Sequence, residues 1–347
     1  MASNPQKEWN KALADLAAKR DLSATDSRSV MEEILAGSRS TEEIAEFLAR
    51  HTSKGGTALE VAGFIDAMYA HAAPIAITER AVDTVGTGGD GFHTINISTT
   101  SAIVAASAGA RVVKHGNRAA TSQSGAADVL EALGVKIDLN GFQVAQLVRE
   151  IGLGFCFAPM FHSAMRHAGP ARKSLGYPTI FNILGPLTNP AGAPNILMGV
   201  FHSDLVGIQI RALQRLGAEH ALVVYGRDGM DEVSLGASTL VGELKDGHLT
   251  EYEIHPEDFG MAMASHRALR VETPEESQAV LRGVLNNEAG AARDIVILNA
   301  GAALYAANVT TSIKDGIALA RQVIESGAAK EKLAQFVAFT QKSGSAA

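Results

Sequence analysis

The sequence predicts an α/β protein. A small N-terminal all-helical domain, with helices that return to it later in the chain, precedes a large α/β domain with a mainly parallel central sheet. Three observations predict this. The first seventy or so residues carry only helical apolar periodicity. From Pro74 onward, short apolar runs bounded by turns alternate with helical stretches. Between Phe161 and Pro190 that alternation stops and helical spacing comes back.

The elements follow in order. Ser23-x-x-Asp26 reads as a capping box ahead of Val30, Ile34 and Leu35. Thr41 precedes Glu42 and Glu43, acids suited to a helix start, and then Ile44, Phe47 and Leu48 at helical spacing. Residues 59–70 repeat the pattern through Val61, Phe64, Ile65 and Met68. Strands are expected at residues 81–85, 111–114, 155–158, 196–201 and 221–225. A helix starts near Ser98, and another covers residues 127–133 and stops at Gly134. The stretch HSAMRHAGPARKSLGYPTIFNILGPLTNP is helical in period but cut by Pro170, Pro178 and Pro186. It reads as helices returning to the N-terminal domain. The expected division is therefore 1–74 plus connecting helices of about 162–190, against 75–161 and 191–347, with a cleft between them.

Composition narrows the function. With 347 residues, 46% hydrophobic and 19% charged, the chain can bury a large core. A net charge of -7 argues against a general nucleic-acid surface. The one cysteine, Cys156, lies in an apolar run, so it reads as a core residue and rules out a disulfide framework. No secretory signal and no apolar run near the roughly 18 residues of a membrane span is visible, so a soluble cytoplasmic protein without membrane partners is expected.

The chemistry lies in three loops. VGTGGDGFHTINIST, residues 85–99, contains G-x-G-x-x-G at Gly86, Gly88 and Gly91, the dinucleotide fingerprint. The supporting context is missing. The helix begins only near Ser98, and the next strand ends in Lys114-His115-Gly116-Asn117-Arg118, basic where a ribose-binding acid is needed. Both loops follow strands, and so belong at the C-terminal sheet edge where open α/β sheets bind ligands. The first offers glycine N–H groups, then Asn96, Ser98 and Thr99 at a helix start, a natural phosphate seat. The second offers Lys114, Arg118 and the hydroxyls of Thr121, Ser122 and Ser124. A solvated polar turn could produce either loop alone. Two after neighbouring strands point to a ligand with phosphates at both ends. The third loop, in VVYGRDGMDEVS, holds Asp231-Glu232. Such a pair is usually surface, but beside a phosphate site two hard carboxylates are how Mg²⁺ is commonly held.

The stretches VGTGGDG and NIST, KHGNR, SGAADVLEALG, RKSLGYPTIFNILGPLTNPA and GMDEVS resemble the anthranilate phosphoribosyltransferase family of tryptophan biosynthesis, in order, from about residue 40 to 310. The resemblance implies transfer of a phosphoribosyl group from 5-phosphoribosyl 1-pyrophosphate (PRPP) to the amine of anthranilate, releasing pyrophosphate. PRPP has the two-ended charge inferred above. By position, Gly86, Gly89, Asp90 and Thr94 are implied to contact PRPP, followed by Asn96, Ile97, Ser98 and Thr99. From the second loop Lys114, His115, Gly116, Asn117 and Arg118 do so, with Ala119, Ala120, Thr121 and Ser122. Ser98, Asp231 and Glu232 match Mg²⁺ ligands. Gly86, Asn117 and Arg172 match anthranilate contacts.

The chain departs from the family pattern twice. Ala126 stands where many relatives carry a serine whose hydroxyl would touch PRPP, and Ser163 stands where they often carry proline. The reaction needs no strong base, because an aromatic amine is neutral at pH 7. His115 is a candidate proton acceptor or orienting group, with a binding role favoured. The resemblance also implies a homodimer paired through the helical domain. Two other readings of the same fold remain: a pyrimidine nucleoside phosphorylase, which would need no Asp-Glu metal pair, and a non-catalytic nucleic-acid-binding relative, which would need a basic surface.

Overall fold

The computed structural model of the chain describes residues 4–119 and 123–343. Four helices open it: Pro5–Ala17, Ala24–Leu35, Thr41–Lys54 and Ala58–His71. Each start is fixed by a side chain that satisfies an otherwise orphan N–H. Asn4, Ser23, Ser40 and Thr57 accept from the backbones of Lys7, Asp26, Glu43 and Glu60. Ser40 rather than Thr41 caps the third helix, in a full capping box with Glu43. At Ser23 only half of the expected box forms, since the Asp26 carboxylate turns to the Ser23 hydroxyl and to Lys11. The apolar faces meet around Trp9, Phe47 and Phe64, with ring centroids 5.6 and 6.2 Å apart along the chain of three.

Seven strands follow: β1 Val82–Gly86, β2 Val112–Gly116, β3 Leu153–Phe157, β4 Asn195–Gly199, β5 His220–Gly226, β6 Thr239–Lys245 and β7 His248–Ile254. They form one sheet in the order β3-β2-β1-β4-β5-β6-β7. The first five are parallel, and β6 and β7 add antiparallel. This last hairpin was not among the expected strands. Its turn is Asp246-Gly247, both at positive φ (52° and 77°), as a two-residue hairpin turn requires.

Side chains alternate across the sheet. Leu197, Leu222 and Val224 join one core with the helices Ile97–Ser107 and Ala291–Ala306. Ile196, Met198, Ala221 and Val223 join a second core, which runs on into Trp9, Phe47 and Phe64 of the N-terminal helices. Helices thus cover both faces. The returning stretch is a string of short pieces, among them Gly169–Leu175 and Phe181–Leu184. Pro170 sits in the first turn of its helix, where its missing N–H is no loss, so it opens that helix instead of cutting one. Ala168, Ala171, Phe181 and Leu184 bury their side chains in the second core. The two crossings between the helical and α/β parts run side by side: Ile75 N–H donates to the Pro190 carbonyl at 3.0 Å.

Candidate functional site

The strand order makes the site. The chain steps outward from β1 to β2 and β3, then returns to place β4 on the other flank of β1. Loops leaving β1 and β4 therefore diverge, and a crevice opens at their C-terminal ends. Gly86 and Gly199 lie opposite each other there. Across them runs Asp231. A Cβ on Gly199 would fall 1.6 Å from the Asp231 carbonyl oxygen, and one on Gly86 would fall 2.6 Å from its carboxylate. Only glycine fits at position 199, against backbone, whereas a side chain at position 86 would displace the Asp231 carboxylate. Gly88, Gly89 and Gly91 then turn the first loop through the left-handed region (φ 64°, 85° and 75°). Asp90 steadies the turn by accepting the Phe92 N–H at 3.1 Å. Thr94 bridges Arg270, which ties the end of the loop to the rest of the domain.

The acid pair lands on this loop. Asp231 accepts the Gly88 N–H at 2.7 Å, and Glu232 accepts the Ser98 N–H at 3.1 Å in the first turn of helix Ile97–Ser107. Burial, with the charges of Asp90 and Glu232 beside it, holds the Asp231 carboxyl well above its usual range. Burial pushes Glu232 up to about 8, although Lys114 pulls the other way. Lys114 is itself buried, and burial lowers its ammonium. It donates to the Thr84 carbonyl and, at 3.1 Å, to the Ser98 hydroxyl. Among the described residues no cluster of three or more His, Cys, Asp or Glu forms a cage for a metal. Two crowded carboxylates and one hydroxyl suit Mg²⁺, which takes few protein ligands and completes its shell with ligand oxygens and water.

The second loop is held by its own side chains. Arg118 leans away onto Asp128 and Glu131, with its guanidinium 5.4 Å from the Phe157 ring centroid. Asp128 also accepts the N–H groups of Ala119 and Gly125, both at 2.9 Å, and so closes the loop on itself. The Asn117 side chain accepts the Arg118 N–H at 2.8 Å. Gly116 lies against Phe155 and Ala126, where a Cβ would come within 2.8 Å of the ring. Ala126 begins the helix Ala126–Ala132. Ala120, Thr121 and Ser122 lie outside the described residues. Asn96 donates to the Ser124 carbonyl at 3.0 Å and accepts from the Ser124 and Ser277 hydroxyls, so its amide joins the two loops. Ile97 and Thr99 are buried.

His115, at the end of β2, is buried with Nδ1 3.2 Å from the Gly185 carbonyl. That contact places the proton on Nδ1, and Nε2 is a bare lone pair without a partner among the described residues. Burial, then the neighbouring His162 ring, lowers its pKa to about 3. Arg172, on helix Gly169–Leu175, stands 5.6 Å over Phe181. Burial lowers its pKa. Among the described residues no carboxylate pairs with it.

A helical bundle joined to an α/β domain with anion-seating loops at the switch point defines a class, the glycosyl transferase family. Its helical bundle domain matches residues 10–72 and its a/b domain matches residues 78–330. The chain is 59% identical over 332 residues to anthranilate phosphoribosyltransferase of Polaromonas sp., covering 95% of this chain and 96% of that one. The crystal structure of anthranilate phosphoribosyltransferase from Thermus thermophilus superimposes with TM-score 0.90 at 42% identity, covering 95% of this chain and 99% of that one. The enzyme from Saccharomyces cerevisiae in complex with PRPP and Mg gives 0.89 at 27%, covering 97% and 99%. The chain belongs to the anthranilate phosphoribosyltransferase family.

Proposed function

We propose that this chain transfers the 5-phosphoribosyl group of PRPP to the amine of anthranilate, giving N-(5-phosphoribosyl)anthranilate and pyrophosphate in tryptophan biosynthesis. One observation carries the reading. At the switch point, backbone donors for an anion and an acid pair for a cation lie within hydrogen-bond reach of each other. The chain itself holds Gly88 and Ser98 N–H groups with carboxylates, as a substrate phosphate would. A pyrophosphate that takes those donors leaves Asp231 and Glu232, with the Ser98 hydroxyl, to hold Mg²⁺. Bound there, Mg²⁺ supplies Lewis-acid neutralisation of the leaving group.

The remaining roles are binding and orientation. The glycine N–H groups of the first loop stabilise charge that grows on the departing pyrophosphate. Lys114 braces that loop from below through Thr84 and Ser98. Arg172 takes the anthranilate carboxylate by charge-assisted hydrogen bonds, with Gly86 and Asn117 beside the ring. Burial keeps His115 neutral, and its Nε2 lone pair is free to orient a donor. Holding both substrates in line supplies much of the rate. The phosphorylase reading leaves the Asp231-Glu232 pair without work, and the nucleic-acid reading fits neither that pair nor a net charge of -7.

A homodimer paired through the helical domain, the domain division at about residue 74, and a cytoplasmic location complete the proposal. No helix of the described residues is long and apolar enough to cross a membrane. The test is direct. Incubated with PRPP, anthranilate and Mg²⁺, the protein should consume anthranilate fluorescence only when all three are present. Turnover of a pyrimidine nucleoside with inorganic phosphate, and none with PRPP, would overturn the reading.

A further inference from the structure

β1 is bonded to β4 along its whole length, from Val82 opposite Asn195 to Gly86 opposite Gly199. On its other flank the ladder with β2 consists of Val82 opposite Val112. Beyond that pair the two strands stay neighbours, and side chains add links between them. Asp83, fully buried, accepts the His115 backbone N–H on Oδ1 at 3.1 Å. Its Oδ2 accepts from Asn189 Nδ2 at 2.8 Å. The same Asn189 nitrogen donates to the Val113 carbonyl at 2.7 Å, and Asn189 Oδ1 accepts the Ala191 N–H at 2.9 Å. Every polar atom of both side chains is therefore used.

Asn189 does not belong to the sheet. It stands in the stretch by which the returning helices rejoin the α/β domain, next to the crossing where Ile75 bonds Pro190. His115 and His162 grip the same stretch at the Gly185 and Thr188 carbonyls. One amide thus touches both strands that carry the phosphate loops, at Asp83 and Val113, and is covalently part of the connection to the helical unit. A backbone ladder would hold two strands about 4.8 Å apart. A side-chain bridge adds a further link between them, and a buried bond to a carboxylate is stiff.

The geometry points to Asp83 and Asn189 as a positioning pair that sets the distance between the two phosphate loops. The pair selects for a ligand with phosphates at both ends, and it ties that distance to the seating of the helical unit. The inference rests on the phosphoribosyl-transfer reading. Asn189→Ala removes both donors. Asp83→Asn keeps the shape but sets amide nitrogen against amide nitrogen. Loss of a hydrogen bond to a charged group predicts about a tenfold or larger rise in the KM for PRPP, with a much smaller change for anthranilate.

The decisive measurement is binding, by calorimetry in the presence of Mg²⁺, of PRPP and of pyrophosphate alone. A spacing role weakens PRPP, which must span both loops, far more than pyrophosphate, which needs one. Asn189→Gln, which keeps the amide but moves it by one methylene, should weaken PRPP more than pyrophosphate as well, because it alters the reach of the bridge and not its chemistry. Equal weakening of both ligands in these variants overturns the pair as a spacer. If wild-type protein binds these ligands but never consumes anthranilate, the functional reading fails, and the PRPP-to-pyrophosphate comparison still decides the spacer.

Discussion

Arg172 holds a guanidinium over the Phe181 ring in a partly buried setting, and no carboxylate among the described residues neutralises it. Replacing it with Ala should raise the anthranilate KM about ten- to a hundredfold, from roughly 1.5–3 kcal/mol of lost charge-assisted bonding. The PRPP KM should move far less, and equal effects on both substrates would assign Arg172 to folding instead. His115 gives a pH signature. Its folded pKa is depressed to about 3, chiefly by burial, below an ordinary 6.5. As pH falls through about 6.5 the unfolded chain takes up a proton that the folded chain refuses. Stability present above that pH is then lost on acidification, by up to about 1.4 kcal/mol per pH unit. Asp83 works in the opposite sense. Burial raises it from 3.8 to about 6, so it favours the folded state below about 3.8, and this favour is lost as pH rises through about 6. Relative to wild type, His115→Gln should therefore gain in urea midpoint between pH 7.5 and 5.5. A constant difference would mean that the imidazole is not buried in its neutral form. At this scale the sequence names residue types but not directions. Lys114 and Arg118 look alike in KHGNR, yet one is buried under the first loop and the other turns outward to Glu131. Asp83, an acid inside an apolar strand, was not singled out from the sequence, and nothing there shows that its partner is Asn189.

The loop between β5 and β6 brings Asp231 and Glu232 to the crevice, and its path is set by what it must avoid, the bare backbone of Gly86 and Gly199. The double change Asp231→Asn, Glu232→Gln keeps the acceptors for Gly88 and Ser98 but removes both charges. Because the two carboxyls stand above their ordinary range, ionising them at neutral pH costs stability, so the variant should fold with a thermal midpoint no lower than wild type. Its activity at ordinary Mg²⁺ should nevertheless fall steeply, since several kcal/mol of leaving-group stabilisation is lost. A wild-type rate with wild-type Mg²⁺ dependence would show that these acids hold no metal. Strands and helices with strong periodicity were legible, because burial on one or both faces writes itself into residue order. The β6–β7 hairpin was not recognised, though Asp246-Gly247 marks its turn, because β7 is mostly exposed and lacks an apolar run. What secures the hairpin is polar: Glu243 accepts from Tyr252, Tyr305 and His220, joining β5, β6 and β7 to helix Ala291–Ala306. Such a cross-element cluster leaves no local pattern in the sequence.

At the scale of the molecule, one sheet face and the N-terminal helices share a single core, so the helical unit is packed onto the α/β domain through Met198, Val223 and the helix Asp204–Arg215. The proposed dimer should appear as a species near twice 36.3 kDa by light scattering at micromolar concentration. A monomer there would remove the dimer without touching the chemistry. The strand order also governs how the chain can be made. β1 is the middle one of the five parallel strands, and its neighbour on the side away from β2, β4, begins only at Asn195. Until the residues up to β4 have been made, any pairing of β1 with β2 and β3 leaves one edge of β1 open, the kind of edge on which nascent chains stick to one another. The edge that β4 covers and the floor of the crevice are therefore finished together, when Gly199 pairs with Gly86, and Asp231 and Glu232 arrive only afterwards.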